Sequence, residues 1–181
     1  SAWETGRVGP AHEHLATVVI RRFLEWMLGS ATGEEGAPVL VAATPAGERH
    51  ELGALLSAVS AAAEGWEGIF LGPDLPSEEI VSAAVRLKAD VVTLSCVDPG
   101  TAEFLPEEVR KIRDRLPPAV HLVLGGPLAV SKGLELRTEG VEVLPTFEEL
   151  RAKLREIGSK ARASSQQQTS GYIRDSVDLH E

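Results

Sequence analysis

Pro38-Val39-Leu40-Val41-Ala42-Ala43 and the stretch that follows it, Thr44-Pro45-Ala46-Gly47-Glu48-Arg49-His50-Glu51-Leu52-Gly53, decide how this chain is read. The apolar run from Pro38 to Ala43 is continuous, as in a strand buried on both faces. Pro45 and Gly47 then break the chain, and Arg49 to Glu64 has helical spacing, with Leu52, Leu55, Leu56 and Val59 on the inward side. A buried strand leading through a short loop into a helix is one unit of a parallel α/β sheet. The loop leaves the carboxyl end of the first strand, the position at which open α/β sheets bind ligands. It carries one histidine, His50, with carboxylates on either side.

Downstream, the same alternation repeats. Trp66 to Leu71, Val91 to Ser95, Val120 to Leu124 and Val141 to Leu144 read as strands. Pro76 to Lys88, Pro106 to Leu116, Pro127 to Lys132 and Phe147 to Ile157 read as the helices between and after them. Right-handed crossovers make this an α/β fold of the flavodoxin-like (Rossmann) type, with a five-stranded parallel sheet in the order 2-1-3-4-5 and its switch point beside the first strand.

Upstream, Ala11 to Leu28 has the spacing of an amphipathic helix, with Leu15, Val18, Val19, Phe23, Trp26 and Met27 along the expected inward stripe. One helix cannot bury such a stripe alone. Gly29 to Gly36 is a linker, so residues 1–30 are expected to form part of a helical unit in front of a main domain at 37–158. Residues 159–181, which include the Ser- and Gln-rich stretch from Ser164 to Ser170, are expected to be a flexible tail.

Composition narrows the function. The net charge of −9 over 181 residues makes this segment a poor non-specific nucleic-acid binder, so a DNA-binding role needs a separate module upstream. One cysteine excludes an internal disulfide and a Cys-pair metal site. The longest apolar runs are too short for a membrane span, and no secretory leader opens the chain, so a cytoplasmic protein is expected. Aromatics are only 4%, which leaves the core to Ala, Val, Leu and Ile.

His50 alone is ambiguous: a histidine at a helix start in an acidic loop is often only a surface residue. Glu48 offers the alternative, since a carboxylate bonded to one ring nitrogen fixes the tautomer and raises the basicity of the other nitrogen toward a metal. Two more strand-end loops contribute Ser95-Cys96-Val97 and Gly125-Gly126-Pro127. Forty-one residues, 54 to 94, separate Gly53 from Ser95, and 27, 98 to 124, separate Val97 from Gly125.

This set, Glu48-Arg49-His50-x-x-Gly53, then Ser95-x-Val97, then Gly125-Gly126, resembles the signature of the cobalamin-binding domain, where Asp-x-His-x-x-Gly, Ser-x-Leu and Gly-Gly recur at about these separations. The resemblance spans roughly residues 38 to 157. It implies a corrinoid held base-off, with His50 as the lower axial ligand to cobalt and the displaced nucleotide tail in a slot. There a serine hydroxyl meets the base, and glycines let a flat ring approach the backbone. Glu48 and Val97 depart from the Asp and Leu of corrinoid enzymes, and the longer carboxylate is similar to that of light-responsive regulators.

Trp3 and the pair Glu13-His14, nine residues apart (4 to 12), resemble the Trp-x9-Glu-His element of CarH-type photoreceptors of the MerR class and the related AerR antirepressors. That likeness implies a helical cap over the upper face of the corrin, with Trp3, Glu13 and His14 around an adenosyl group. It also implies a sensor, not an enzyme, that acts through a homo-oligomer or a partner protein. Without the likeness, Trp3 reads as a core anchor and Glu13-His14 as polar residues in a first helical turn. Glu4 stands where those proteins carry a histidine, which leaves open whether His12 or His14 binds cobalt after photolysis. The alternatives are a corrinoid carrier for methyl transfer and a flavodoxin-like receiver or nucleotide-binding domain, the latter disfavoured because Gly-x-Gly-x-x-Gly is absent; whether a bilin is bound as second chromophore stays open. Cys96 reads as a small buried residue rather than a nucleophile. Asp74 and Asp98 read either as contacts to corrin amides or as solubilising loop charges.

Overall fold

The first strand, β1 (Val39–Pro45), is buried from Leu40 to Pro45 and lies inside a five-stranded parallel sheet. The computed structural model describes residues 9–31, 33, 35–136 and 140–160. Along them run α1 (Pro10–Ser30), β1, α2 (Leu52–Ala63), β2 (Glu67–Leu75), α3 (Ser77–Arg86), β3 (Val91–Ser95), a single 3-10 turn (Pro99–Thr101) and α4 (Leu105–Arg115). Then come β4 (His121–Gly125), α5 (Pro127–Ser131), α6 (Gly133–Leu136), β5 (Val141–Val143) and a final helix, α7, over 147–160. The strand order is β2-β1-β3-β4-β5, as the alternation of strands and helices predicts.

Strand alternation divides the core in two. Val41, Ala43, Val92, Leu94, Leu122 and Leu124 face α3, α4 and α5. Leu40, Ala42, Val91 and Val123 face α2 and α7, with Leu150, Leu154 and Trp66. Trp66 fills the corner after α2, where its indole packs so closely on α7 that a Cβ on Gly158 would lie 3.4 Å from Nε1. Glu64, at the end of α2, accepts Arg151 Nε at 2.5 Å and Arg155 at 3.0 Å from α7. These bonds clip together the two helices that flank the candidate site.

Two sequence expectations change. The second strand does not stop at Leu71: it continues to Leu75, with register shifts against β1 that pair Ala43 with Gly72 and Pro45 with Leu75. Gly72-Pro73-Asp74 reads as a turn, but β2 is an edge strand, where Pro and bulges are tolerated.

The expected inward stripe of α1 is the other change. Leu15, Val18, Val19, Ile20, Phe23, Trp26 and Met27 are all exposed, and the helix rests on α2 through Leu24 and Leu28 against Leu55 and Val59. Burying an aliphatic side chain contributes about 2 kcal/mol, so two leucines and the Arg21–Glu51 ion pair (3.1 Å) hold a 21-residue helix only weakly. The apolar stripe is present, but it faces away from the sheet. No helix among the described residues is long and apolar enough to cross a membrane.

Candidate functional site

The loop between β1 and α2 is organised by a carboxylate, not by the histidine. Glu48 is fully buried. Its Oε1 accepts the His50 backbone N–H at 2.8 Å and lies 2.6 Å from His50 Nδ1. Its Oε2 accepts the backbone N–H groups of Val97 and Asp98, both at 2.6 Å. One side chain therefore ties the β1 loop to the β3 loop. Burial pushes its carboxyl up, but the bonds from Asp98, His50 and Val97 and the imidazole outweigh that and hold it below the usual carboxylate range.

An ionised carboxylate only accepts, so Nδ1 is the donor of this pair, and in the neutral imidazole the lone pair is then on Nε2. The His50 ring is 61% exposed. A basic nitrogen, oriented from behind and open in front, is the arrangement of a metal ligand with its carboxylate partner.

Two residues brace the loop from outside. Thr44 donates its hydroxyl to the Glu48 carbonyl at 2.5 Å, and the Asp74 N–H reaches both Thr44 Oγ1 (2.9 Å) and the Glu48 carbonyl (3.0 Å). Asp74 Oδ1 accepts the Gly47 N–H at 2.7 Å. Asp74 has φ 59°, and Gly47 has φ 83° with Phe104 3.0 Å from where its Cβ would be, so the turn is tightly packed. Replacing Glu48 by Ala strands buried N–H donors and frees the imidazole. We expect a loss on the order of 3 kcal/mol in urea unfolding and 10- to 100-fold weaker metal ligation by His50, measured by spectral titration.

Beside this loop a cavity of about 640 Å³ opens over β3 and β4, between α2 and α7. Its volume lies in the range of small-molecule and cofactor sites. Gly53, Ser95, Val97, Gly125 and Gly126 all line it, so the three sequence motifs converge on one space. The glycines are there for clearance: a Cβ on Gly53 would lie 2.4 Å from Ser95 Oγ, and one on Gly126 (φ 94°) 2.4 Å from the Cys96 carbonyl oxygen. Val123, Leu144, Phe147 and Leu150 give the cavity apolar walls.

Thr93 also lines it, 4% exposed, and its Oγ1 has no hydrogen-bond partner among the described residues. An unpaired buried hydroxyl costs about 1–3 kcal/mol, which is recovered when an occupant supplies the bond. A flat heteroaromatic ring with apolar and hydrogen-bonding edges fits these walls. A corrinoid tail has that chemistry.

Residues 38–155 match the family model of the B12 binding domain. The chain belongs to the B12 binding domain family. It is 31% identical to the HTH-type transcriptional repressor CarH of Myxococcus xanthus over 129 residues, covering 71% of this chain and 43% of that protein. It is 34% identical to the repressor CarA of the same organism over 91 residues, covering 50% of this chain and 32% of CarA. The chain thus spans less than half the length of these curated relatives. Among solved structures, the monomethylamine corrinoid protein of Methanosarcina barkeri matches with TM-score 0.64 at 16% identity, over 86% of this chain and 75% of that one. A cobalamin-binding protein of Desulfitobacterium hafniense matches with TM-score 0.52 at 22% identity, over 66% and 59%. Both structures share the fold.

Within this B12 binding domain the remaining sequence candidates are distributed as follows. Arg49 is exposed on the loop, and Val97 acts through its backbone N–H on Glu48. Glu13 and His14 are exposed on α1, and Trp3 lies outside the described residues. The contact of Arg21 with Glu51 sets the height of α1 beside His50, and His14, seven residues earlier, rises about 10 Å beyond it at 1.5 Å per residue. Cys96 is buried and its thiol is pushed up to about 12, by burial and then by Glu48, so it is inert as a nucleophile. Asp98 accepts the Gly100 N–H at 2.8 Å, and Asp74 braces the loop, so both loop aspartates have structural work inside the protein. Sequence reading missed Thr44, Thr93 and the bracing role of Asp74. For Thr93 the sequence carried no distinguishing signal, since Ser95 of the same strand is a hydroxyl residue too.

Proposed function

We propose that this B12 binding domain is the sensory part of a cobalamin-dependent regulator, holding the corrinoid base-off with His50 Nε2 on cobalt. The observation that carries the reading is the fully buried Glu48 carboxylate, 2.6 Å from His50 Nδ1, in the loop whose Gly53 lines the 640 Å³ cavity. Glu48 fixes the tautomer, Gly53 and Gly126 clear the slot, and Ser95 and Thr93 offer hydroxyls to the base. Bound adenosylcobalamin would supply a cobalt–carbon bond that light can cleave.

In this reading α1 would belong to a cap, with the exposed row Leu15, Val19, Phe23 and Trp26 as the face on which the rest of a helical bundle packs, and Glu13 and His14, with Trp3 outside the described residues, would be the candidates for the upper-ligand side. The likeness to two transcriptional repressors supports a regulatory output through a partner or a homo-oligomer, with DNA contacts made outside this acidic segment.

The test is reconstitution with adenosylcobalamin in the dark. A base-off, histidine-ligated spectrum that changes under green light, together with a shift in gel-filtration volume, is expected. Binding without any photoresponse, with methyl transfer to a partner enzyme, favours instead a corrinoid carrier, a reading supported by the fold shared with the monomethylamine corrinoid protein. A red-light response of protein loaded with biliverdin would identify a second chromophore.

A further inference from the structure

β3 carries two hydroxyls on the sheet face that looks into the cavity, Ser95 at the carboxyl edge and Thr93 two residues deeper. Same-face neighbours on a strand are about 6.6 Å apart, so the hydroxyls mark two depths of one slot. Thr93 sits between Ala42 of β1 and Val123 of β4. Val91, on the same face, is also aliphatic, and valine at position 93 would fill the same volume without burying a hydroxyl. The other deep hydroxyl, that of Ser57, is already bonded to the Gly53 carbonyl at 2.9 Å. Among the described residues, Thr93 Oγ1 is left as a buried, unpaired polar atom in an apolar recess.

We propose that Thr93 makes the slot selective for the lower base of the corrinoid, favouring a purine over dimethylbenzimidazole. The inference rests on the corrinoid reading above. A flat bicyclic base that enters from the sheet edge would keep the ring bearing its sugar near Ser95 and present its six-membered ring to Thr93. In dimethylbenzimidazole that far edge is two methyl groups, which leave the Thr93 hydroxyl unpaired. In adenine it carries ring nitrogens and an amino group, either of which pairs with Oγ1. The apolar walls serve both bases, so the discrimination falls on Thr93.

The experiment is a spectral titration of the wild-type chain, Thr93→Val and Thr93→Ser with cobalamin and with adeninyl cobamide, read at the cobalt absorption bands. Thr93→Val is expected to weaken adeninyl cobamide about tenfold relative to cobalamin, the worth of one buried hydrogen bond, while Thr93→Ser keeps the wild-type ratio. An unchanged ratio in Thr93→Val, or equal weakening of both corrinoids, overturns the selectivity and makes Thr93 a packing residue. If Thr93→Val does not fold, loss of the wild-type preference in Thr93→Ser overturns it as well. A wild-type chain that binds neither corrinoid contradicts the functional reading itself, an outcome separate from a failure of selectivity alone.

Discussion

His50→Ala is expected to abolish the histidine-ligated form of bound cobalamin and to weaken binding by more than tenfold. Its spectrum should revert to the base-on type, because the nitrogen of the lower base becomes the ligand at hand. The loss is confined to ligation. The His50 ring is 61% exposed and contributes one bond to Glu48, so urea unfolding should move by no more than about 0.5 kcal/mol. Glu48→Ala differs on this point, since its carboxylate is buried and serves three backbone donors. The two variants therefore separate a ligand from the residue that positions it: His50→Ala loses the spectrum, Glu48→Ala needs about 10- to 100-fold more cobalamin to reach it, and only Glu48→Ala loses substantial stability. Spectral titration and urea unfolding of the same preparations check this. A His50→Ala protein with the wild-type spectrum means that another group binds cobalt.

The second large effect is on the fold. Gly126→Ala should destabilise the domain on the order of 3 kcal/mol, read as a fall in the urea midpoint. Gly126 has φ 94°, where L-residues are strained, and its new Cβ would lie 2.4 Å from the Cys96 carbonyl oxygen, a backbone atom. That carbonyl also accepts the Leu128 N–H at 3.1 Å, so it cannot retreat without opening the start of α5. Gly125→Ala provides the contrast. Its Cβ would meet only the Leu144 carbonyl oxygen, at 3.6 Å, an ordinary contact, and should cost under about 1 kcal/mol while narrowing the slot. Equal destabilisation by the two substitutions would contradict this division of labour within the Gly-Gly pair.

The sheet was legible because each strand is a short aliphatic run ending at Gly, Pro or a polar loop. Val91–Ser95 has the same limits in the sequence reading and in the structure, because it is buried at every position. Edge structure was harder to read. Gly72-Pro73-Asp74 has turn chemistry and yet continues β2, since an edge strand with one partner tolerates a missing donor and a bulge. The stripe of α1 was visible, but not its direction: periodicity identifies an apolar face without saying what covers it, and Leu24 and Leu28 lie off the expected stripe.

At the site, spacing brought Glu48, His50, Gly53, Ser95 and the glycine pair to neighbouring strand ends. The reach of Glu48 Oε2 to the Val97 and Asp98 N–H groups was not legible, because backbone acceptors and donors leave no mark in side-chain identity. Thr93 escaped for a related reason. Threonine is a common strand residue, and only the absence of a partner in three dimensions sets it apart.

Ligation of cobalt by His50 is the central claim, and electron paramagnetic resonance of the chain loaded with cob(II)alamin tests it most directly. One axial ¹⁴N splits the high-field cobalt lines into triplets. In protein labelled with ¹⁵N-histidine these lines should become doublets, because the coordinated nitrogen then belongs to a histidine of the chain, and labelled His50→Ala should lose the doublets, which assigns that nitrogen to His50. Triplets that persist after labelling would show that the nitrogen belongs to the cofactor's own base, and would contradict the account.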